Sequence, residues 1–241
     1  MTTPIWQLEI RVNDLQRASA FYRAVFAWDI TPVADNYAMV DTGKPPIGAL
    51  WAIGDSGMPL GICHYLRSKN CAADARKAVK LGGRVTVEHT VVESVGAWTD
   101  TLDPWNNEVA FWQPDTDDVP VLTGPTKNPL GLVEFGTSDL EAAMAYYHVL
   151  AGWKFTRVPG ATEYALCTQT QPPVALVGGV AGAQRRGITD YVQVADIAVT
   201  AAAVAAHGGA VLDKPHHLGD GSLMTIIVDP DGNQLAIIQK S

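Results

Sequence analysis

Apolar and polar residues alternate from Gln7 to Val12, with Leu8, Ile10 and Val12 on one side and Gln7, Glu9 and Arg11 on the other. A period of two is that of a strand with one face against a core. Asp14 follows, placed to cap a helix by accepting from the free N–H groups of its first turn. Ala18, Tyr22, Val25 and Phe26 then recur at helical spacing and give one apolar face. Residues 36–41 and 47–53 read as two further strands, separated by Gly43 and the Pro45-Pro46 turn. The pattern restarts with a strand at 61–66 and a helix at 71–81 that ends on Gly82-Gly83, as helices often do. Strands are expected at 84–91, 95–102 and 108–113, with Asp103-Pro104-Trp105-Asn106-Asn107 as the turn between the last two.

The second half repeats the first. Glu9 recurs as Glu134, Asp14 as Asp139, Phe21-Tyr22 as Tyr146-Tyr147 and Trp28 as Trp153, all 125 residues apart. Tyr65 recurs as Tyr191, Gly82-Gly83 as Gly208-Gly209 and Asp103-Pro104 as Asp229-Pro230, all 126 apart. So many matches in register mark a duplication. The order is βαβββ four times in two pairs, an α+β chain with one copy over residues 1–113 and the other over 131–241. The segment 114–130 reads as a proline-rich linker with an acidic run at Asp115, Asp117 and Asp118.

Composition narrows the field. The 241 residues are 47% apolar, enough for a real core, so global disorder is not expected. A formal net charge of −8 with no basic cluster disfavours nucleic acid as a partner. The N-terminus lacks a basic region followed by an apolar stretch, so no signal peptide is expected. No run approaches the roughly 18 apolar residues of a membrane span. Cys63, Cys71 and Cys167 are odd in number and lack paired metal spacing, which fits reduced, buried thiols and a cytoplasmic location. A Gly-rich phosphate loop, a Gly-x-Ser-x-Gly elbow and a recognised cysteine-nucleophile context are all missing.

The opening strand with Asp14 and Phe21-Tyr22, the Gly-Gly pairs and the Asp229-Pro230-Asp231-Gly232-Asn233 turn together resemble the vicinal-oxygen-chelate superfamily, which includes glyoxalase I, bleomycin-resistance proteins and extradiol dioxygenases. Within it the chain is most similar to two-domain glyoxalase-like proteins loosely described as hydroxylase-like. The resemblance spans about nine-tenths of the sequence and implies four βαβββ modules forming two glyoxalase-like domains, each curling its sheet into a cup that holds a ligand. It points to fold and leaves the reaction open.

Metal-using members of that family take a His, Gln or Glu from the first strand of a module and a Glu from its last strand. The matching first-strand positions here are Gln7, Cys63, Leu132 and Thr189, and the closing positions after the Asp-Pro turns are Ala110 and Ala236. Strands 47–53 and 174–180 contain no Glu, Asp or His. A family-type metal site is therefore not expected, and no cofactor is. His64 is one residue out of register and should face the helices, and His216-His217 reads as a solvated pair in a loop. By side-chain phase, Gln7, Glu9, Arg11, Cys63, Tyr65, Glu108 and Trp112 should face the first cup, and Glu134, Thr189, Tyr191, Gln193 and Gln234 the second. Aromatic area with a few polar groups is what a small-molecule pocket needs. Each also has a plainer role: Glu9 and Glu134 as structural carboxylates, Glu9 paired with Arg11, and Tyr65 and Tyr191 as core filling. Trp51 and Trp98 are further walls whose faces the pattern does not fix.

Three functional classes follow. The first is a metal-independent binder of an aromatic or cationic compound, resembling the bleomycin-resistance branch. The second is a lyase, isomerase or dioxygenase-type enzyme using a displaced metal or a cup carboxylate. The third is a structural protein with filled cups. The expected partner is a small molecule, with neither nucleic acid nor membrane, and homodimerisation stays open.

Overall fold

The computed structural model describes residues 2–116, 122, 125–179 and 187–241. Asp117 and Asp118 of the acidic run, and the last residue of the strand expected at 174–180, lie outside them.

The first three modules have the order expected from the sequence, and the fourth adds one short strand, at His216–His217, where a loop is expected. The first comprises β1 (Ile5–Val12), α1 (Leu15–Phe26), β2 (Asp29–Ala34), β3 (Tyr37–Asp41) and β4 (Ile47–Ala52). The second comprises β5 (Gly61–Arg67), α2 (Cys71–Lys80), β6 (Arg84–Val92), β7 (Gly96–Leu102) and β8 (Glu108–Pro114). The third comprises β9 (Leu130–Gly136), α3 (Leu140–Ala151), β10 (Thr156–Arg157), β11 (Tyr164–Cys167) and β12 (Val174–Val177). The fourth comprises β13 (Ile188–Gln193), α4 (Ile197–Ala206), β14 (Ala210–Val211), β15 (His216–His217), β16 (Leu223–Val228) and β17 (Gln234–Gln239). Two mixed sheets result. The first takes β2, β3, β4 and β1 in that order from the first module and β5, β8, β7 and β6 from the second. The other takes β10, β11, β12 and β9 from the third module and β13, β17, β16 and β14 from the fourth, with β15 beside β16. This is an α+β protein with two glyoxalase-like domains.

Helix ends follow local chemistry. Asp14, Asp139 and Asp196 cap α1, α3 and α4 through side-chain oxygens that accept backbone N–H groups, and Asn70 does the same for α2. Such caps each contribute about 1 kcal/mol.

By compactness the chain forms two units that interleave the copies. One holds most of the second and third modules, and the other most of the first and fourth. The repeated motifs act within these units. In the unit of the first and fourth modules, α1 packs on α4. There Tyr22 donates its hydroxyl to Asp229 at 2.9 Å, and Asn233 donates to the backbone oxygen of Arg11 at 3.0 Å. In the unit of the second and third, α2 packs on α3. Tyr147 donates to Asp103 at 2.6 Å, and Asn107 donates to the backbone oxygen of Gly136 at 2.9 Å. The tryptophans are duplicated in the same way. Trp28 stacks on Tyr22 at 5.4 Å, and Trp153 stacks on Tyr147 at 5.2 Å. Their indole N–H groups donate to the oxygens of Asn128 and Thr3 respectively.

The Gly-Gly pairs divide their work. Gly82 and Gly208 hold φ near +100° and +88°, a left-handed turn that favours glycine. A Cβ on Gly83 would stand 2.6 Å from the oxygen of Leu102, and one on Gly209 would stand 2.5 Å from that of Val228, so the second glycine of each pair is required by close packing. Burial also accounts for the ionisation of the turn: it pushes the Asp103 carboxyl up, against hydrogen bonds from Tyr147 and Asn107 that pull it down. Among the described residues, no helix is long and apolar enough to cross a membrane.

Candidate functional site

Strand register settles which side chains share a face. In the first module, Gln7 lies opposite Ile47, Glu9 opposite Ala49 and Arg11 opposite Trp51. β3 adds Tyr37 opposite Trp51 and Met39 opposite Ala49. Leu8 and Ile10 turn the other way, beside Trp28, around an apolar crevice of about 10 Å³. That is close to the space one water needs and far below what a ligand needs. The polar face of β1 is the other candidate in the first module.

The polar groups on that face form a chain. Gln7 donates its Nε2–H to the Tyr37 oxygen at 2.6 Å, and the Tyr37 hydroxyl donates to Glu9 Oε2 at 3.0 Å. Arg11 Nε meets Glu9 Oε1 at 3.4 Å. Its guanidinium lies 5.8 Å from the centre of the Trp51 ring, within cation–π range. Glu9 is 5% exposed and Arg11 0%, so each charge has been taken out of water and depends on its partners. Burial, then the charge of Glu9 and the bond to it, raise the Tyr37 hydroxyl above its ordinary pKa, so it stays a donor. Gln7, Tyr37, Met39 and Trp51 are half-buried around this floor.

In the second module, Tyr65 and Asp100 flank Ala110, while Arg67 and Trp98 flank Trp112. Leu102 lies opposite Glu108. Tyr65 and Trp98 meet edge to face at 6.4 Å, and Arg67 stacks over Trp6 at 4.6 Å. Asp100 is fully buried, and a carboxylate oxygen of Asp100 lies within 4.8 Å of one of Glu108. This acidic pair is the part of the face that could hold a divalent cation. Cys63, a buried thiol outside any disulfide, precedes Tyr65 by two residues on β5 and shares its phase. His64 points the opposite way, is wholly buried and lies 6.1 Å from Phe135.

The remaining modules carry fewer polar groups. In the third, Glu134 lies opposite Ala175, Gly136 opposite Val177, and Val177 opposite Tyr164. Leu132, Gly136 and Val177 thus occupy the places of Gln7, Arg11 and Trp51, whereas Glu134 and Tyr164 preserve those of Glu9 and Tyr37. In the fourth, Tyr191 lies opposite Ala236 and Gln193 opposite Ile238, with Thr189 in phase with both. Gln193 rests over Gly131, where a Cβ would stand 2.5 Å from its nitrogen. Gln234 is exposed. His216 and His217 are also exposed, in the short strand β15 rather than a loop, and His216 lies 3.3 Å from Asp213.

Tyr37 and Asp100, like Met39 and Arg67, escape a reading of the sequence alone. Tyr37 has a counterpart in Tyr164, but 127 residues away, so a search at 125 or 126 misses it. Asp100 follows from the phase of Trp98, which only the pairing of Trp98 with Trp112 fixes.

The family-type metal set does not fit these residues. Ala110 and Ala236 are fully buried and offer no donor atom, Leu132 is apolar, and Gln7 lies opposite Ile47, which offers no donor atom either.

Residues 130–237 match the family model described as Glyoxalase/Bleomycin resistance protein/Dioxygenase superfamily, and residues 5–43 match the Bleomycin resistance protein-like N-terminal model. "Putative glyoxylase CFP32" of Mycobacterium bovis is 24% identical over 251 residues, covering 98% of this chain and 94% of that protein. Its counterpart in Mycobacterium tuberculosis has the same identity and coverage. Among solved structures, homoprotocatechuate 2,3-dioxygenase from Arthrobacter globiformis aligns with a TM-score of 0.68 at 20% identity, over 99% of this chain and 80% of that one. The Mn(II)-bound glyoxalase from Novosphingobium aromaticivorans aligns with a TM-score of 0.64 at 13% identity, over 99% and 82%.

Proposed function

From its membership of the glyoxalase/bleomycin-resistance/dioxygenase superfamily, we propose that this protein binds a small aromatic molecule on the polar face of the first module, without a family-type metal, and sequesters or carries it. The observation that carries this reading is the buried chain Gln7–Tyr37–Glu9–Arg11, bordered by half-buried Trp51 and Met39. It combines apolar area for a planar ring with fixed polar groups that orient it. Because Arg11 already faces Glu9, the carboxylate does not require a cationic ligand to balance it, and the aromatic class is favoured over the cationic one. Calorimetric titration with planar bicyclic compounds tests this. Stoichiometric binding that Trp51→Ala weakens about tenfold or more is expected. A full panel without heat, or affinities indifferent to Trp51, would remove the proposal.

The acidic pair on the second-module face supports a second reading, an enzyme of the lyase, isomerase or dioxygenase type with a displaced metal. Its mark would be one equivalent of Mn²⁺ or Fe²⁺ retained through desalting by the wild type and lost in Asp100→Asn. Retention of less than about a tenth of an equivalent would dismiss it.

A further inference from the structure

We infer that Gln7 reads the amide or lactam edge of the aromatic ligand, at a position where metal-using relatives place a metal ligand; the inference rests on the small-molecule reading above. The argument starts from Tyr37. Its only proton is directed to Glu9, so its oxygen can act only as an acceptor. Gln7 must therefore present an N–H to it, as observed, and this fixes which way the amide points. The carbonyl oxygen and the second N–H of Gln7 remain on a half-buried residue, one acceptor and one donor on the same planar amide. A planar group with the complementary pattern, an N–H beside a C=O, pairs with such an edge. A metal ion at the same oxygen would need further donors, and the residue opposite Gln7 is Ile47.

The dimensions agree. Gln7 and Arg11 are four strand residues apart, roughly 13 Å, and Arg11 lies opposite Trp51. A fused two-ring ligand lying over Tyr37 would be long enough to reach from the Gln7 amide toward the Trp51 indole, beside Met39. The third module supplies an internal contrast. There Leu132 and Val177 replace the amide and the indole, while the Glu134 and Tyr164 positions persist. The Glu and Tyr positions are thus common to both copies, and the recognition groups belong to the first module.

The test compares 2-quinolone, which carries a lactam edge, with quinoline, which has the same rings without it. Affinities are measured by calorimetry for the wild type, Gln7→Met and Gln7→Leu, with urea unfolding to establish that the variants fold. The wild type is expected to bind 2-quinolone about tenfold or more tighter than quinoline, the difference expected of one unmade buried hydrogen bond. Whichever variant folds should bind both compounds alike, at the quinoline level. Equal affinities in the wild type, or a lactam preference that survives loss of the amide, would overturn the inference and leave the binding proposal standing. A preference appearing only with added Mn²⁺ would also overturn it and return Gln7 to a metal. Binding of neither compound, with Trp51→Ala indistinguishable from wild type, would sink the binding proposal as well.

Discussion

Glu9 and Arg11 sit two residues apart on one strand, and the alternation of β1 forces both to the same side. Two buried charges at that spacing must answer each other, and they do. Breaking a buried pair leaves the surviving charge in a poor solvent and typically costs about 3–5 kcal/mol. Arg11→Met should destabilise the fold by about that amount in urea unfolding, and Glu9→Gln in the same chain should restore most of it, since the penalty belongs to the stranded carboxylate. A single-variant cost under about 1 kcal/mol would show that Arg11 does little to balance Glu9. This pair was legible in the sequence because it needs only strand phase. Tyr37 was not, because its link to Glu9 depends on the pairing of β3 with β4 and because the spacing of its repeat slips by one or two residues. Buried tyrosines in both units predict alkaline behaviour. Tyr22, Tyr37, Tyr146 and Tyr147 are all pushed up by burial, and all but Tyr146 also by a hydrogen-bonded carboxylate. A hydroxyl whose pKa is higher folded than unfolded adds stability that is complete below the unfolded value, about 10, and is lost as pH rises beyond it. Phenolate absorbance near pH 11 should therefore lack the contribution of Tyr22, Tyr37, Tyr146 and Tyr147 in the folded protein, and gain it on unfolding. Smooth titration of all seven tyrosines in the folded state would contradict this.

At the scale of elements, the motifs that reveal the duplication turn out to be contacts between copies. The Phe-Tyr or Tyr-Tyr pair of one copy meets the Gly-Gly pair and the Asp-Pro turn of the other: Phe21 lies against Gly209 and Tyr22 bonds Asp229, and likewise Tyr146 lies against Gly83 and Tyr147 bonds Asp103. These residues recur because each copy supplies both halves of the lock. Tyr147→Phe removes one donor from a buried carboxylate and should cost about 1–3 kcal/mol. Gly83→Ala pushes a methyl group into the Leu102 backbone and should cost a comparable amount, about 1–3 kcal/mol. Both are measured by chemical denaturation with unchanged calorimetric affinity for aromatic probes; a neutral Gly83→Ala would mean the helix end shifts freely. The elements themselves were legible, because strand and helix periods, caps and turns are local. The short strand β2 and the partnership of the locks were not, because Asp29–Ala34 is largely exposed and carries little pattern, and because a partner 207 residues away leaves no trace in spacing.

At the scale of the molecule, duplication has preserved architecture and released chemistry. The Glu and Tyr positions survive in both copies, while the amide, guanidinium and indole remain only in the first. The positions that the resemblance assigns to closing metal ligands hold alanine in both copies, and an acidic pair stands on the face of the second module. The fold was legible at this scale from repeated patterns. The proposed ligand face was legible only as one of two symmetric candidates, because side-chain phase treats both copies alike until register places Trp51 beside Arg11.

The central claim is metal-independent binding of an aromatic molecule by the first-module face. Its most direct test is the calorimetric affinity for 2-quinolone of wild type and Trp51→Ala, each with EDTA and with Mn²⁺. We predict one site per chain, the same affinity with chelator and with metal, and an affinity at least about tenfold weaker without the indole. Binding that needs Mn²⁺, or binding that ignores Trp51, would contradict the account.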